Sequence, residues 1–412
     1  MVPGLIIIGA VDACVYDIFR NFARCFYINC KYMKISYFMA VLLCLVLLCV
    51  AGCGAGGAST EEYAGIVYKP QYASAFEITG AEGAGSTMVS VADPWQGARG
   101  VRARLLVLRG DEQAPRGFDG QVMRGDARRI VAMSSTHVAM LDALGALDRV
   151  VGVSGRRFIS NKRLEAMGGS VVDVGAEGNV DYERLVAAEP DLVLLYGVNG
   201  ASVMEGKLKE LGIPFMYVGE YLEESPLGKA EWIVALAEVT GLRDKGLQVF
   251  SGIPGRYNKL KERVASHTVS RPSVLLNTPY GGNWFMPSSR NYMCRLIEDA
   301  GGVNVYDRDT DNTSEVVSME EAFLLGSKAD KWLNTGMASS MAEVLEMAPK
   351  MAELPCFKAG EVYNNNRLVT EAGGNDFYES GIVCPDVVLR DIVKILHPEL
   401  VEEDFVYYHR LR

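Results

Sequence analysis

Arg129-Ile130-Val131-Ala132-Met133-Ser134-Ser135-Thr136-His137-Val138-Ala139-Met140-Leu141-Asp142-Ala143-Leu144-Gly145 marks a change of texture in the 412-residue chain. Arg129–Met133 has the length and composition of a buried strand. Thr136–Leu144 has a helical period, and Arg149–Ser154 reads as a second strand. The alternation continues with strands at Val171–Gly175, Asp191–Tyr196 and Pro214–Gly219, and helices at Asp181–Glu189 and Ala201–Leu211. Strands that alternate with helices imply parallel pairing through helical crossovers.

Working outward, Ser225–Ala265 carries no convincing strand. Lys229–Thr240 and Asp244–Ala265 are helical in pattern, with a kink or break expected at Pro254 between Gly252 and Gly255. The alternation then resumes, with strands at Ser273–Thr278, Lys331–Gly336 and Glu361–Asn365. Helices fall at Asn291–Ala300, Ser318–Gly326, Ser340–Leu354 and Asp386–His397. Upstream, Ala73–Thr79, Thr87–Val91 and Arg102–Leu108 read as strands joined by glycine-rich turns. The fold class expected is α/β: two Rossmann-like α/β lobes joined by a long helical connector, with a small N-terminal β appendage. The divisions are 1–52 a signal region, 53–127 tether and β appendage, 128–222 the N-terminal lobe, 223–270 the connector and 271–412 the C-terminal lobe.

Ile35–Gly52 is apolar and uncharged, follows Met33-Lys34 and ends in Val50-Ala51-Gly52-Cys53. A short basic start, an apolar stretch and small residues before a cut describe a secretory signal. The Cys after the small pair makes it resemble a bacterial lipoprotein signal, with lipid on Cys53. Met33 is the expected true start, since a signal beginning there has normal length. The retained part carries 37 basic and 49 acidic residues, a net −12, and keeps Cys294, Cys356 and Cys384 besides Cys53. So acidic a surface argues against nucleic acid as partner. Three further thiols allow at most one disulfide within the chain. Localisation is expected at the cell envelope, lipid-anchored and facing the periplasm or the cell exterior.

No G-x-x-x-x-G-K-[ST] loop and no G-x-S-x-G elbow is present, and the four His do not cluster. No catalytic residue and no metal site is assigned. Ligands of open α/β sheets bind at strand C-termini, which selects His137, Arg156, Tyr196, Tyr280, Trp284, Arg290 and Tyr378 as candidate ligand-binding residues. Rings of Tyr and Trp suit a large, partly apolar ligand, and the Arg residues suit an anionic one. Each equally suits a core or surface position.

The opening at Arg129–Ser135, Asp148–Val153, the run Asp181-Tyr182-Glu183-Arg184-Leu185-Val186 with Pro190-Asp191, and its echo Ser318-Met319-Glu320-Glu321-Ala322-Phe323 with Ala329-Asp330 resemble the periplasmic binding proteins of iron-chelate, haem and cobalamin importers. The resemblance covers about 129–400 and implies a monomeric substrate-binding protein rather than an enzyme. Its partners would be an ABC permease dimer with its ATPase subunits, the membrane through the lipid anchor, and a small-molecule metal chelate. No resident cofactor is implied; the ligand would be a ferric siderophore, with haem or a corrinoid such as cobalamin as alternatives. An axial Tyr196 or His137 would suit haem. The resemblance also makes Glu183 and Glu320, first-turn residues that could merely favour their helix dipoles, a pair that docks on the permease. A cofactor-dependent enzyme on a two-lobed scaffold and a zinc or manganese receptor are the other readings, and neither finds a supporting motif.

Overall fold

The computed structural model describes residues 63–267, 270–309 and 313–412. Cys53, Met33 and the signal and tether segments lie outside the described residues. Among those described, no helix is long and apolar enough to cross a membrane.

Five strands come first: β1 (Gly65–Tyr68), β2 (Phe76–Gly80), β3 (Thr87–Ala92), β4 (Arg102–Leu108) and β5 (Gln121–Arg124). They form one sheet in chain order, antiparallel except for the parallel pair β4–β5. Its inner face, with Phe76, Ile78, Val89, Val91, Leu105 and Val107, belongs to the main hydrophobic core. The appendage is therefore fused to the body rather than hung from it. Buried carboxylates of the connector fasten it. Glu231 accepts from the Tyr68 hydroxyl and from the N–H groups of Gln71, Tyr72 and Ala73 at 2.6–2.8 Å. Glu223 accepts from Ser74 N–H and Oγ and from the Trp232 indole.

The N-terminal lobe contains β6 (Ile130–Ala132), β7 (Val150–Val153), β8 (Val172–Asp173), β9 (Leu192–Leu195) and β10 (Phe215–Tyr217), all parallel in the order β10-β9-β6-β7-β8. β6 and β9, inside the sheet, are short apolar runs buried on both faces, as central parallel strands must be. The C-terminal lobe contains β11 (Ser273–Leu276), β12 (Trp284–Pro287), β13 (Val303–Asn304), β14 (Ser314–Val317), β15 (Lys331–Leu333), β16 (Val362–Asn364) and β17 (His409–Arg410). Its main sheet runs β13-β11-β15-β16-β17, with β17 antiparallel, and β12 pairs with β14 in a separate ribbon. The strand order reverses around the first strand of each lobe, β6 and β11, which opens a crevice there. The ribbon, β1, β5 and β17 were not legible in the apolar pattern.

The connector comprises helices Pro226–Glu231, Ile233–Val239 and Arg243–His267. The last runs unbroken through Pro254, contrary to the break expected from sequence. Phe250, Ile253, Tyr257 and Val264 form a buried stripe. Burying such side chains yields about 1.5–3 kcal/mol each, which outweighs the roughly 3 kcal/mol a helical proline costs. The helix expected at Ser340–Leu354 stops instead at Met347, because Pro349 opens a 3₁₀ segment. Cys294, Cys356 and Cys384 are free thiols.

Candidate functional site

The C-terminal ends of the two parallel sheets face each other. The loop after β7 places the Phe158 carbonyl so close to Gly374, which follows β16, that a Cβ on Gly374 would lie 1.8 Å from that oxygen. Only glycine allows this approach. Beside it, Ser160 N–H donates to Glu379 at 2.7 Å and Ser160 Oγ donates to Asp376 at 2.8 Å. Glu379 is buried, and burial pushes its carboxyl up to about 7. The crevice between the lobes is thus clasped at its β7–β16 side.

Turn chemistry presents the exposed rings. After β11 the chain takes a left-handed step at Asn277, reaches Tyr280, and reverses through Gly281 and Gly282, both with positive φ. Two successive residues of this kind make the tight hairpin turn that matches strand twist. Tyr280 stands 81% exposed at the tip. The chain after β15 repeats the left-handed asparagine at Asn334 and presents Met337, 72% exposed. Tyr378 is exposed beside the clasp, with its hydroxyl accepting from Asn365 at 3.3 Å. From the N-terminal lobe, Tyr196 ends β9 half-buried, and Phe158 is exposed with the Arg157 guanidinium 4.7 Å from its ring centre. Tyr196 and Tyr280 therefore follow strand ends with accessible surface, and Tyr378 closes the 3₁₀ segment Asp376–Tyr378 beside the clasp.

The other four candidates are engaged within the fold. His137 is buried in helix Ser135–Ala143, with neither ring nitrogen hydrogen-bonded, and burial lowers its pKa to about 3. It is a neutral core residue, because the apolar run His137–Leu141 is the buried face of that helix. Trp284 is 0% exposed; its indole stacks on Trp332 at 5.8 Å and donates to the Leu276 carbonyl at 2.9 Å. It is the centre of the second core, not a ligand platform. The Arg156 guanidinium is turned inward, onto the carbonyls of Leu164, Gly168 and Val171. Arg290 pairs with Glu224 at 2.8 Å, stapling the C-terminal lobe to the connector. Sequence alone showed where these residues fall in the chain, and the neighbouring carbonyls and carboxylates decide how they are used.

Phe158, Met337 and the clasp residues Ser160, Gly374 and Glu379 were missed. Phe158 and Met337 each lie a few residues beyond a strand, so the strand-end rule applied to every apolar residue would have found them.

Below the crevice floor, Thr136 Oγ1 donates to the buried Glu220 at 2.5 Å, and the Lys229 ammonium donates to the Glu220 carbonyl at 2.9 Å. Burial raises the Glu220 pKa and lowers that of Lys229 to about 8. Glu220 and Lys229 are buried and brace the lobe.

Glu183 and Glu320 are both exposed, in the first turns of helices Tyr182–Ala187 and Met319–Gly326. Asp181 and Ser318 cap those helices instead, accepting from the N–H groups of Arg184 and Glu321. Neither Glu makes an ion pair among the described residues, so no structural duty engages them.

Residues 130–366 match the model of a family described as periplasmic binding protein. The chain is 26% identical over 340 residues to an uncharacterized lipoprotein of Methanocaldococcus jannaschii, spanning 76% of this chain and 82% of that one. A second uncharacterized lipoprotein of that organism is 25% identical over 295 residues, spanning 69% and 68%. Among solved structures it is similar in fold to a periplasmic haem-binding protein of Pseudomonas aeruginosa, with TM-score 0.55, 16% identity, and coverage of 69% of this chain and 98% of that one. It is also similar to an ABC-type Fe3+-hydroxamate transport system protein of Saccharomonospora viridis, with TM-score 0.50, 18% identity, and coverage of 72% and 96%. The two facing α/β lobes, the helical connector and a family match over more than half of the chain lead to one conclusion: this protein belongs to the periplasmic binding protein family, whose members bind solutes rather than transform them.

Proposed function

We propose that this protein is the lipid-anchored substrate-binding component of an ABC importer, and that it captures a large, largely uncharged metal chelate in the interlobe crevice. The observation that carries this reading is the set of exposed apolar and aromatic side chains around the crevice, Phe158, Tyr280, Met337 and Tyr378, with the half-buried Tyr196 beside β9. Such surface is costly unless covered, and a broad ligand covers it. A ferric hydroxamate fits best: Arg156 and Arg290 are engaged elsewhere, and Arg157 at the crevice lies against the Phe158 ring. A corrinoid is the second reading, favoured by the same uncharged rings. The helical connector, tied to the C-terminal lobe by the Lys261–Asp299 pair at 2.7 Å, limits how far the lobes separate. Capture then needs little rearrangement, and Glu183 and Glu320 present the loaded protein to the permease. Native mass spectrometry of protein recovered from its own host tests the reading: a retained iron chelate or corrinoid supports it, whereas a retained peptide or sugar refutes it.

A further inference from the structure

The crevice is clasped at its β7–β16 side, and on the other side, beyond β9, the β appendage abuts the strand end. Trp95, in the loop between β3 and β4, pairs with Gly197 as a parallel bridge at the end of β9. A Cβ on Gly197 would lie 3.0 Å from the Trp95 Cβ, so the loop sits directly on the strand end. The Trp95 ring packs on Tyr217 at 5.5 Å, and Gln96 N–H donates to the Tyr221 hydroxyl at 3.1 Å. Between this loop, Tyr221 and Leu222 of the N-terminal lobe and Thr313 of the C-terminal lobe lies a cavity of about 600 Å³. That falls within the range of small-molecule sites, roughly 300–1,000 Å³. Its floor at Ser74 is held by the buried Glu223, so the wall is pre-formed.

The chemistry of the lining selects the occupant. Ala75, Ala92, Ala98 and Leu222 supply apolar surface, and Gln96 supplies an exposed amide. Among the described residues that line the cavity, Asp93 is the sole charged one, and it accepts from Val101 N–H at 2.9 Å. A carboxylate with no cation beside it repels anions and favours a neutral group that brings donors. We infer that the appendage is a third wall of the crevice, and that this cavity receives an uncharged, amide- or hydroxyl-bearing arm of the cargo. The inference rests on the proposed capture of a chelate and adds to it a specificity device outside both lobes.

Calorimetric titration of the full chain in detergent, with ferrichrome, cyanocobalamin and haemin as probes, tests it. Ala98→Trp fills the cavity, and Gln96→Ala removes the exposed amide without touching the core. The expected result is that an amide-bearing probe binds the wild type, loses about tenfold or more in affinity to Ala98→Trp and about threefold to tenfold to Gln96→Ala. Thermal midpoints should be unchanged in Gln96→Ala. Equal affinity of such a probe for the wild type and both variants overturns the third wall while leaving chelate capture standing. Binding of haemin alone, whose carboxylates Asp93 should reject, also overturns it. Failure of every probe to bind the wild type removes chelate capture itself, and the third wall with it.

Discussion

Ser160 of the N-terminal lobe donates its backbone N–H to the buried Glu379 carboxylate of the C-terminal lobe at 2.7 Å. Burial raises the Glu379 pKa from 4.5 to about 7, and the nearby Asp376 adds to the shift. The native state therefore holds the Glu379 proton more tightly than the unfolded chain. Stability falls as pH rises through that window, by about 3 kcal/mol once Glu379 is fully ionised. Glu379→Gln keeps an acceptor for Ser160 and removes the titration. Its stability relative to wild type should grow between pH 5 and pH 8 in denaturant titrations, and parallel profiles would contradict the assignment.

Gly374 should tolerate no side chain. Any Cβ there meets a backbone carbonyl, which cannot swing aside as a flexible side chain would. Gly374→Ala is expected to cost about 1–3 kcal/mol through overpacking and to prise the lobes apart. Small-angle scattering should show a larger radius of gyration, and an unchanged radius with unchanged stability would show that the contact is not a clasp.

Trp284 and Tyr280 should separate cleanly. Trp284 fills a core, so Trp284→Ala should lower stability by about 3–5 kcal/mol. Tyr280 is exposed at a hairpin tip, so Tyr280→Ala should change stability by less than about 0.5 kcal/mol and weaken cargo binding by more than about 1 kcal/mol. Thermal unfolding and ligand titration on the same two variants read both quantities.

Glu183 and Glu320 should matter for delivery alone. Their helices are capped by Asp181 and Ser318, so Glu183→Arg with Glu320→Arg should fold and bind cargo as wild type does. Cargo uptake by cells, or stimulation of the transporter's ATPase, should fall at least tenfold, because in the proposed docking two reversed charges would face cationic groups of the permease. Uptake at the wild-type rate would remove the docking role.

Fold class was legible because parallel strands buried on both faces are apolar runs at helix-sized intervals, as in β6, β9 and β11. The ribbon β12–β14 was hidden, since Trp284-Phe285-Met286-Pro287 pairs with a segment 27 or more residues later in sequence. The crevice was legible only in part. Strand ends pointed to Tyr196 and Tyr280, which keep accessible surface there. The same rule put Trp284 at the ligand, because sequence shows that a ring follows a strand and not that Trp332 lies beneath it. Arg156 failed for a related reason: the carbonyls that engage it come from a helix end 8–15 residues away. The Trp95 loop was beyond reach, as its junction with Gly197 joins segments about a hundred residues apart.

The central claim is that the crevice holds an uncharged metal chelate. Titration of the purified full chain with ferrichrome, a neutral ferric trihydroxamate, and cyanocobalamin, followed by intrinsic fluorescence and calorimetry, tests it most directly. One of the two should bind with one-to-one stoichiometry and a dissociation constant of about 1 μM or tighter, as a pre-formed pocket implies, and Tyr280→Ala should weaken it. No saturable binding of either chelate, or binding indifferent to Tyr280, would contradict the claim.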